Sequence, residues 1–133
     1  NALQADPNNI EINFNLAKLL QDLGEKNQSD EQIEQAVEQY KIVLQIKEDH
    51  LPALNNLGYV YMVDQDKYDE ALALFDRAIT VEPNCVEAYC NRGVCCECTG
   101  RLAEAREAYG TALKILPNYD PAVLGLNRLD KMK

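Results

Sequence analysis

The chain has no tryptophan, one histidine (His50) and one serine (Ser29) among 133 residues. Nucleophilic catalysis needs a hydroxyl or thiol beside a base, and the glycines form no phosphate-cradling loop. An active site wholly inside this chain is therefore not expected, and no catalytic residue is assigned. No stretch approaches the roughly 20 apolar residues of a membrane span. No secretory leader is visible, and the chain opens on Asn1 rather than Met, which points to a fragment or a processed product. Basic residues are also scarce: 13 Lys and Arg face 22 Asp and Glu, a net charge of −9. That balance argues against nucleic acid and against anionic membranes as partners. Most of the excess acid lies before residue 86, because 86–119 carries four of each sign. It suits a basic partner or simply a solvated acidic exterior.

Cysteine is plentiful but clustered. Cys85, Cys90, Cys95, Cys96 and Cys98 all fall in one short stretch. The odd count and the helical setting argue against a disulfide framework, and a reducing, cytoplasmic compartment follows. Zinc needs four converging ligands, whereas these thiols point in different directions around one helix. Small packing residues are the expectation, with no metal and no cofactor. A redox role at Cys90 or Cys98 would lack a basic cluster to activate the thiol.

The organising signal is a repeat. Leu54-x-x-Leu57-Gly58-x-x-Tyr61, Ala71-x-x-x-Phe75 and Pro83 are followed by Tyr89-x-x-Arg92-Gly93-x-x-Cys96, Ala105-x-x-x-Tyr109 and Pro117. Ala71 and Ala105, Phe75 and Tyr109, and Pro83 and Pro117 are all separated by one and the same interval. Large residues three or four apart share a helix face. Gly58, Gly93, Ala71 and Ala105 let two helices approach, Phe75 and Tyr109 fill the space between them, and the prolines end the second helix. A third copy is fainter: Leu16, Ala17 and Leu20, then Ala36 and Tyr40, with Asn13 where a large residue is expected and Glu48 in place of proline.

This pattern, with its period of about 34 residues, resembles the tetratricopeptide repeat (TPR) family. The resemblance implies an all-α fold: a right-handed α-α superhelix, or TPR solenoid, of three helix-turn-helix repeats and a C-terminal capping helix. Residues 1–9 read as the end of a preceding repeat, with Ala2, Leu3 and Pro7 in phase with Ala78, Ile79 and Pro83. Repeats occupy 10–50, 51–85 and 86–119, and 120–133 forms the cap within one domain. Seven helices are expected, with breaks near Gly24, Asp49, Asp66, Pro83, Gly100 and Pro117. Repeat one carries seven extra residues near 25–31, fitting a longer loop or an extended second helix capped by Ser29 or Asp30. Repeat two has one extra residue before Lys67. Arg92 should bury its stem and send its guanidinium to a nearby carboxylate. His50 should lie near a helix N-cap, and Asp120-Pro121 should cap and open the last helix. A cut first repeat would leave Ile10, Leu16 and Leu20 without their usual neighbour, so weak self-association through that end is expected.

Asn15, Asn56 and Asn91 each precede the motif residue Leu16, Leu57 or Arg92. In TPR arrays the equivalent position resembles one lining the concave groove, and this ladder resembles that of the TPR region of O-GlcNAc transferases. An Asn side chain offers a donor and an acceptor to the backbone of an extended peptide. Neighbouring groove positions are Glu11, Phe14, Lys18, Asn55, Tyr59, Glu87, Cys90 and Val94. The chaperone-binding carboxylate clamp of other TPR proteins is not matched: of Phe14, Lys18, Asn56, Glu87 and Asn91, Asn56 alone fits. The resemblance implies a protein–protein interaction module that binds an extended peptide. The alternatives are a substrate-selecting, non-catalytic arm of a glycosyltransferase-like enzyme, favoured by the asparagine ladder and with a closing Gly125-Leu-Asn-Arg-Leu that resembles the end of such arrays, and a structural scaffold without a groove ligand.

Overall fold

The computed structural model describes residues 9–132. The helices among them are α1 (Ile10–Asn27), α2 (Asp30–Ile46), α3 (Leu51–Tyr59), α4 (Tyr68–Val81), α5 (Val86–Cys98), α6 (Leu102–Ile115) and α7 (Asp120–Lys131). A π-helical turn, Val60–Asp64, continues α3. No strand occurs among the described residues. The helices pair as α1 with α2, α3 with α4 and α5 with α6; α2–α3, α4–α5 and α6–α7 contacts join one pair to the next. The result is a right-handed α-α superhelix with α7 as its cap. The expected phase of Ala2, Leu3 and Pro7 lies outside the described residues.

One aromatic residue per repeat fixes each hairpin. Tyr40, Phe75 and Tyr109 are all fully buried. A Cβ on Gly58 would lie 2.7 Å from the Phe75 ring, and one on Gly93 2.7 Å from the Tyr109 ring. The ring therefore occupies the volume that a side chain on the first helix would need. Ala36, Ala71 and Ala105 are also fully buried, so the second helix closes on the first at positions with little side chain.

The extra residues are absorbed in helix. Gly24 does not break α1, which continues to Asn27 and ends on Gln28, whose φ of 53° takes the left-handed capping conformation. Gly24 is instead a contact position, since a Cβ there would lie 2.7 Å from Ile33 Cδ1. Ser29 caps α2, its hydroxyl accepting from the Gln32 N–H at 3.2 Å. Two extended helices of 18 and 17 residues thus stand in place of a long loop. The single extra residue of repeat two appears as the π turn, and the loop after it is closed by the Lys67 N–H on the Tyr61 carbonyl at 2.8 Å. A one-residue insertion in a helix whose phase is pinned on both sides is taken up by widening one turn.

Two local expectations agree with the structure. His50 caps α3, its Nδ1 accepting from the Ala53 N–H at 3.1 Å. Arg92 Nε lies 2.8 Å from Asp76 Oδ1. At α7 the N-cap is Tyr119 rather than Asp120, and Asp120 and Pro121 form the first turn.

The ring–glycine contact yields a paired prediction. Gly58→Ala should cost about 1–3 kcal/mol through overpacking against Phe75. Gly110→Ala, where a Cβ meets nothing within 4 Å, should stabilise by about 0.5–1 kcal/mol. Urea unfolding of both variants measures the two effects with opposite signs.

Candidate functional site

The asparagine positions follow the seam between repeats. Asn56 on α3 lies beside the Tyr40 phenol of the preceding hairpin and favours its ionised form, against the larger effect of burial. Gly125, one period after Asn91, faces Tyr109 in the same way: a Cβ there would lie 2.5 Å from the ring. At Asn56 and Gly125 the position thus lies against the buried aromatic of the repeat before it. Asn91 and Asn56 are half-buried and Asn15 is exposed. Gly125 ends the series because the Tyr109 ring fills the space an amide would take.

The other expected groove residues divide by burial. Glu11, Lys18, Tyr59 and Glu87 are exposed, and Val94 and Phe14 half-buried. Phe14 packs on Tyr40 and on His50, with ring centroids 6.0 and 5.1 Å apart. Lys18 Nζ stands 5.8 Å from the Phe14 ring centroid, within cation–π range. Asn55 and Cys90 are corrected. They are 6% and 3% exposed and offer almost no surface to a ligand. Both follow Leu54 or Tyr89 by one residue, on the side of the helix turned to the next hairpin. Asn55 Nδ2 reaches Cys85 Sγ at 3.5 Å, and its buried Oδ1 accepts no hydrogen bond from the described residues.

Two polar clusters flank the asparagines. Tyr40 Oη donates to Gln21 Oε1. Tyr109 Oη donates to Glu97 Oε1 at 2.8 Å, and Arg128 from α7 donates Nε to Glu97 Oε2 at 3.0 Å and Nη2 to Oε1 at 3.1 Å. The Arg128 guanidinium holds the Glu97 carboxyl below its usual range, and burial pushes the Tyr109 phenol up. This bidentate pair fastens the cap to the third repeat. At the other cluster, burial and then a hydrogen bond with Glu25 push the Asp64 carboxyl up to about 7. Asp64 Oδ2 is buried and accepts no hydrogen bond from the described residues, an arrangement that disfavours the ionised form. Tyr59 stands close by, its hydroxyl raised by burial and then by Glu25 and Asp64.

All five cysteines are free; Cys90, Cys95 and Cys96 are buried, Cys85 is half-buried and Cys98 exposed. Burial pushes Cys90 up to about 11 and Cys95 up to about 12. No group of three or more His, Cys, Asp or Glu among the described residues converges as a metal-ligand set. No described helix is long and apolar enough to cross a membrane. At the first hairpin, Ile12 and Leu19 are each 43% exposed and line a cavity of about 220 Å³ with Asn15 and Leu16. Ile10 and Leu20, expected on that open face, pack against the core instead.

The fold and seam define a helical-hairpin repeat protein whose first helices α1, α3 and α5 present one series of equivalent side chains. The chain belongs to the tetratricopeptide repeat family, whose models match residues 49–118 and 10–42. It is 32% identical over 100 residues to the CTR9 homolog protein of Arabidopsis thaliana, a match covering 74% of this chain and 9% of that protein. The chain therefore spans only a small part of the length of that relative. Among solved structures it is similar to MamA, with a TM-score of 0.83 and 25% identity over 95% of this chain and 69% of the other. It also shares the fold of YrrB, described as a TPR protein with an unusual peptide-binding site, at a TM-score of 0.79 and 22% identity over 90% of this chain and 57% of the other.

Burial and charge set two expected outcomes. With a thiol reagent under native conditions, Cys98 should react first, Cys85 more slowly, and Cys90, Cys95 and Cys96 only on unfolding. Five equivalents are expected in denaturant. Asp64 has a folded value raised from 3.8 to about 7, so the folded state holds a proton the unfolded state releases. Its contribution is fully present below about pH 4 and is lost as pH rises through about 7. Asp64→Asn should flatten the fall in unfolding free energy between about pH 4 and about pH 7, as read from urea titrations at each pH.

Proposed function

We propose that this chain is a protein-interaction module that holds an extended segment of a partner protein in its concave groove. The observation that carries the reading is the recurrence of Asn15, Asn56 and Asn91 at one helical position, although the interval between the first two is longer than that between the last two. Each amide has a donor and an acceptor, the pair that a peptide backbone requires. Glu11, Phe14, Lys18, Tyr59, Glu87 and Val94 flank the series and supply a mixed apolar and charged surface. Asn55 and Cys90 serve as packing beneath it. Asn56 lies beside the Tyr40 phenol at its inner side, so ligand pairing at that step uses the outer side of the amide. The domain acts by binding rather than by catalysis, and its five thiols suit a reducing compartment such as the cytoplasm. Ile12, Leu16 and Leu19 form the face through which weak self-association would occur.

The test uses peptides selected from a displayed library on the intact chain, titrated by fluorescence polarisation. Replacing Asn15, Asn56 and Asn91 together with Ala should weaken them by roughly 10- to 1000-fold, at about 0.5–1.5 kcal/mol per contact. Thermal stability should stay close to that of the parent chain. Unchanged affinity in the triple variant would refute the groove reading and leave the scaffold reading in its place.

A further inference from the structure

The second helices of the hairpins form a separate surface. Between α2 and α4 lies a cleft of about 420 Å³, floored by Leu57 and Tyr61 and walled by Leu44, Ala73 and Leu74. Lys41, Gln45, Glu70 and Arg77 stand on its rim. Arg77 Nη2 donates to the Glu48 carbonyl at 2.9 Å, closing one end. Neither Arg77 nor Lys41 has an ion-pair partner among the described residues.

The same place one repeat later shows what the cleft lacks. Arg92 is the counterpart of Leu57, and Asp76, at the same interval, is the counterpart of Lys41. There the Arg92 side chain spans the space and its Nε meets Asp76 Oδ1 at 2.8 Å. Between α2 and α4 the long floor side chain is replaced by leucine, and the carboxylate by an unpaired ammonium. The space is left open with the opposite sign on its rim. Asp76 immediately precedes Arg77, so Lys41 and Arg77 stand at nearly the same height on the two walls. Glu70 lies two turns away toward the start of α4. The rim donors Lys41, Gln45 and Arg77 thus surround an apolar hole, in a chain whose net charge is −9.

We propose that the α2–α4 cleft is a second docking site, taking an acidic segment of a partner protein that inserts one bulky apolar side chain and sets flanking carboxylates on Lys41 and Arg77. The volume accommodates a large side chain, and Leu44, Leu57, Ala73 and Leu74 give it an apolar lining. The charges on the two walls select carboxylates over ammonium groups, chiefly through specificity and encounter rate. This site is separate from the asparagine series and does not depend on it.

The probes are two blocked pentapeptides, Glu-Glu-Phe-Glu-Glu and Lys-Lys-Phe-Lys-Lys, added to the isotopically labelled chain up to millimolar concentration. The acidic peptide should shift the amide signals of Lys41, Leu44, Leu57, Ala73 and Arg77 saturably, and the basic one should not. Lys41→Glu should weaken the acidic peptide at least roughly tenfold. Ala73→Phe, which fills the cleft from an exposed position of α4, should abolish the shifts. Both variants should melt close to the parent chain. The triple asparagine variant should bind the acidic peptide as the parent does, which separates this site from the groove. No saturable shift, equal response to the basic peptide, or shifts confined to α1, α3 and α5 would each overturn the proposal.

Discussion

The structure depends on one contact that recurs along the array: a buried aromatic ring of the second helix against a position on the first helix that has almost no side chain. Phe75 sits where a Cβ on Gly58 would be, and Tyr109 where one on Gly93 would be. The contact holds the two helices of a hairpin at a set distance and rotation. The same ring then meets the next element, because Tyr109 also fills the volume over Gly125. A single side chain thus fixes both geometry within a repeat and stacking between repeats, so each hairpin buries its apolar face only by joining the next.

The polar edge of the seam follows from that arrangement. Tyr40 and Tyr109 end in hydroxyls that reach Gln21 and Glu97, while Phe75 ends in carbon. The hydroxyl is paired at both ends of the array, and at Tyr109 the neighbouring α7 adds a donor, Arg128 Nη2, at 3.3 Å. A buried hydroxyl without a partner would cost roughly 1–3 kcal/mol, so each tyrosine comes with its acceptor. Under the proposed groove reading Asn56 would have two roles on one side chain: its inner side lies beside Tyr40 of the preceding repeat, and its outer side would meet the peptide.

The aromatic, small and proline positions are legible in the sequence because packing leaves them little choice. Arg92 and His50 are legible too, since a long cation at a core position must snorkel and a polar residue before a helix caps it. Gly24 reads as a turn in the sequence and is none: a glycine that ends a helix and one that admits Ile33 look alike in one dimension. Asn55 and Cys90 are buried because the seam's depth at a given helical position depends on the next hairpin, which periodicity along one helix does not describe. The cleft over Leu57 needed coordinates, since it arises from the absence of an arginine that repeat three has.

The extra residues show how far the ring contact dictates the rest. Tyr40 and its acceptor Gln21 are 19 residues apart, and Tyr109 and Glu97 are 12 apart. The difference equals the seven residues added to repeat one, all of which lie between the two partners, at the ends of α1 and α2. Likewise the one residue added to repeat two widens a turn after Gly58 and before Phe75. Length changes are tolerated wherever they leave the ring, its small partner and its acceptor in phase. The ring contact within a hairpin leaves two surfaces open to variation: the edge of α1, α3 and α5 that carries the asparagines, and the cleft between α2 and α4. On the first the asparagines are kept alike from repeat to repeat, and on the second the residues change sign. A ligand that runs along the array demands the former, and one that docks at a single step permits the latter.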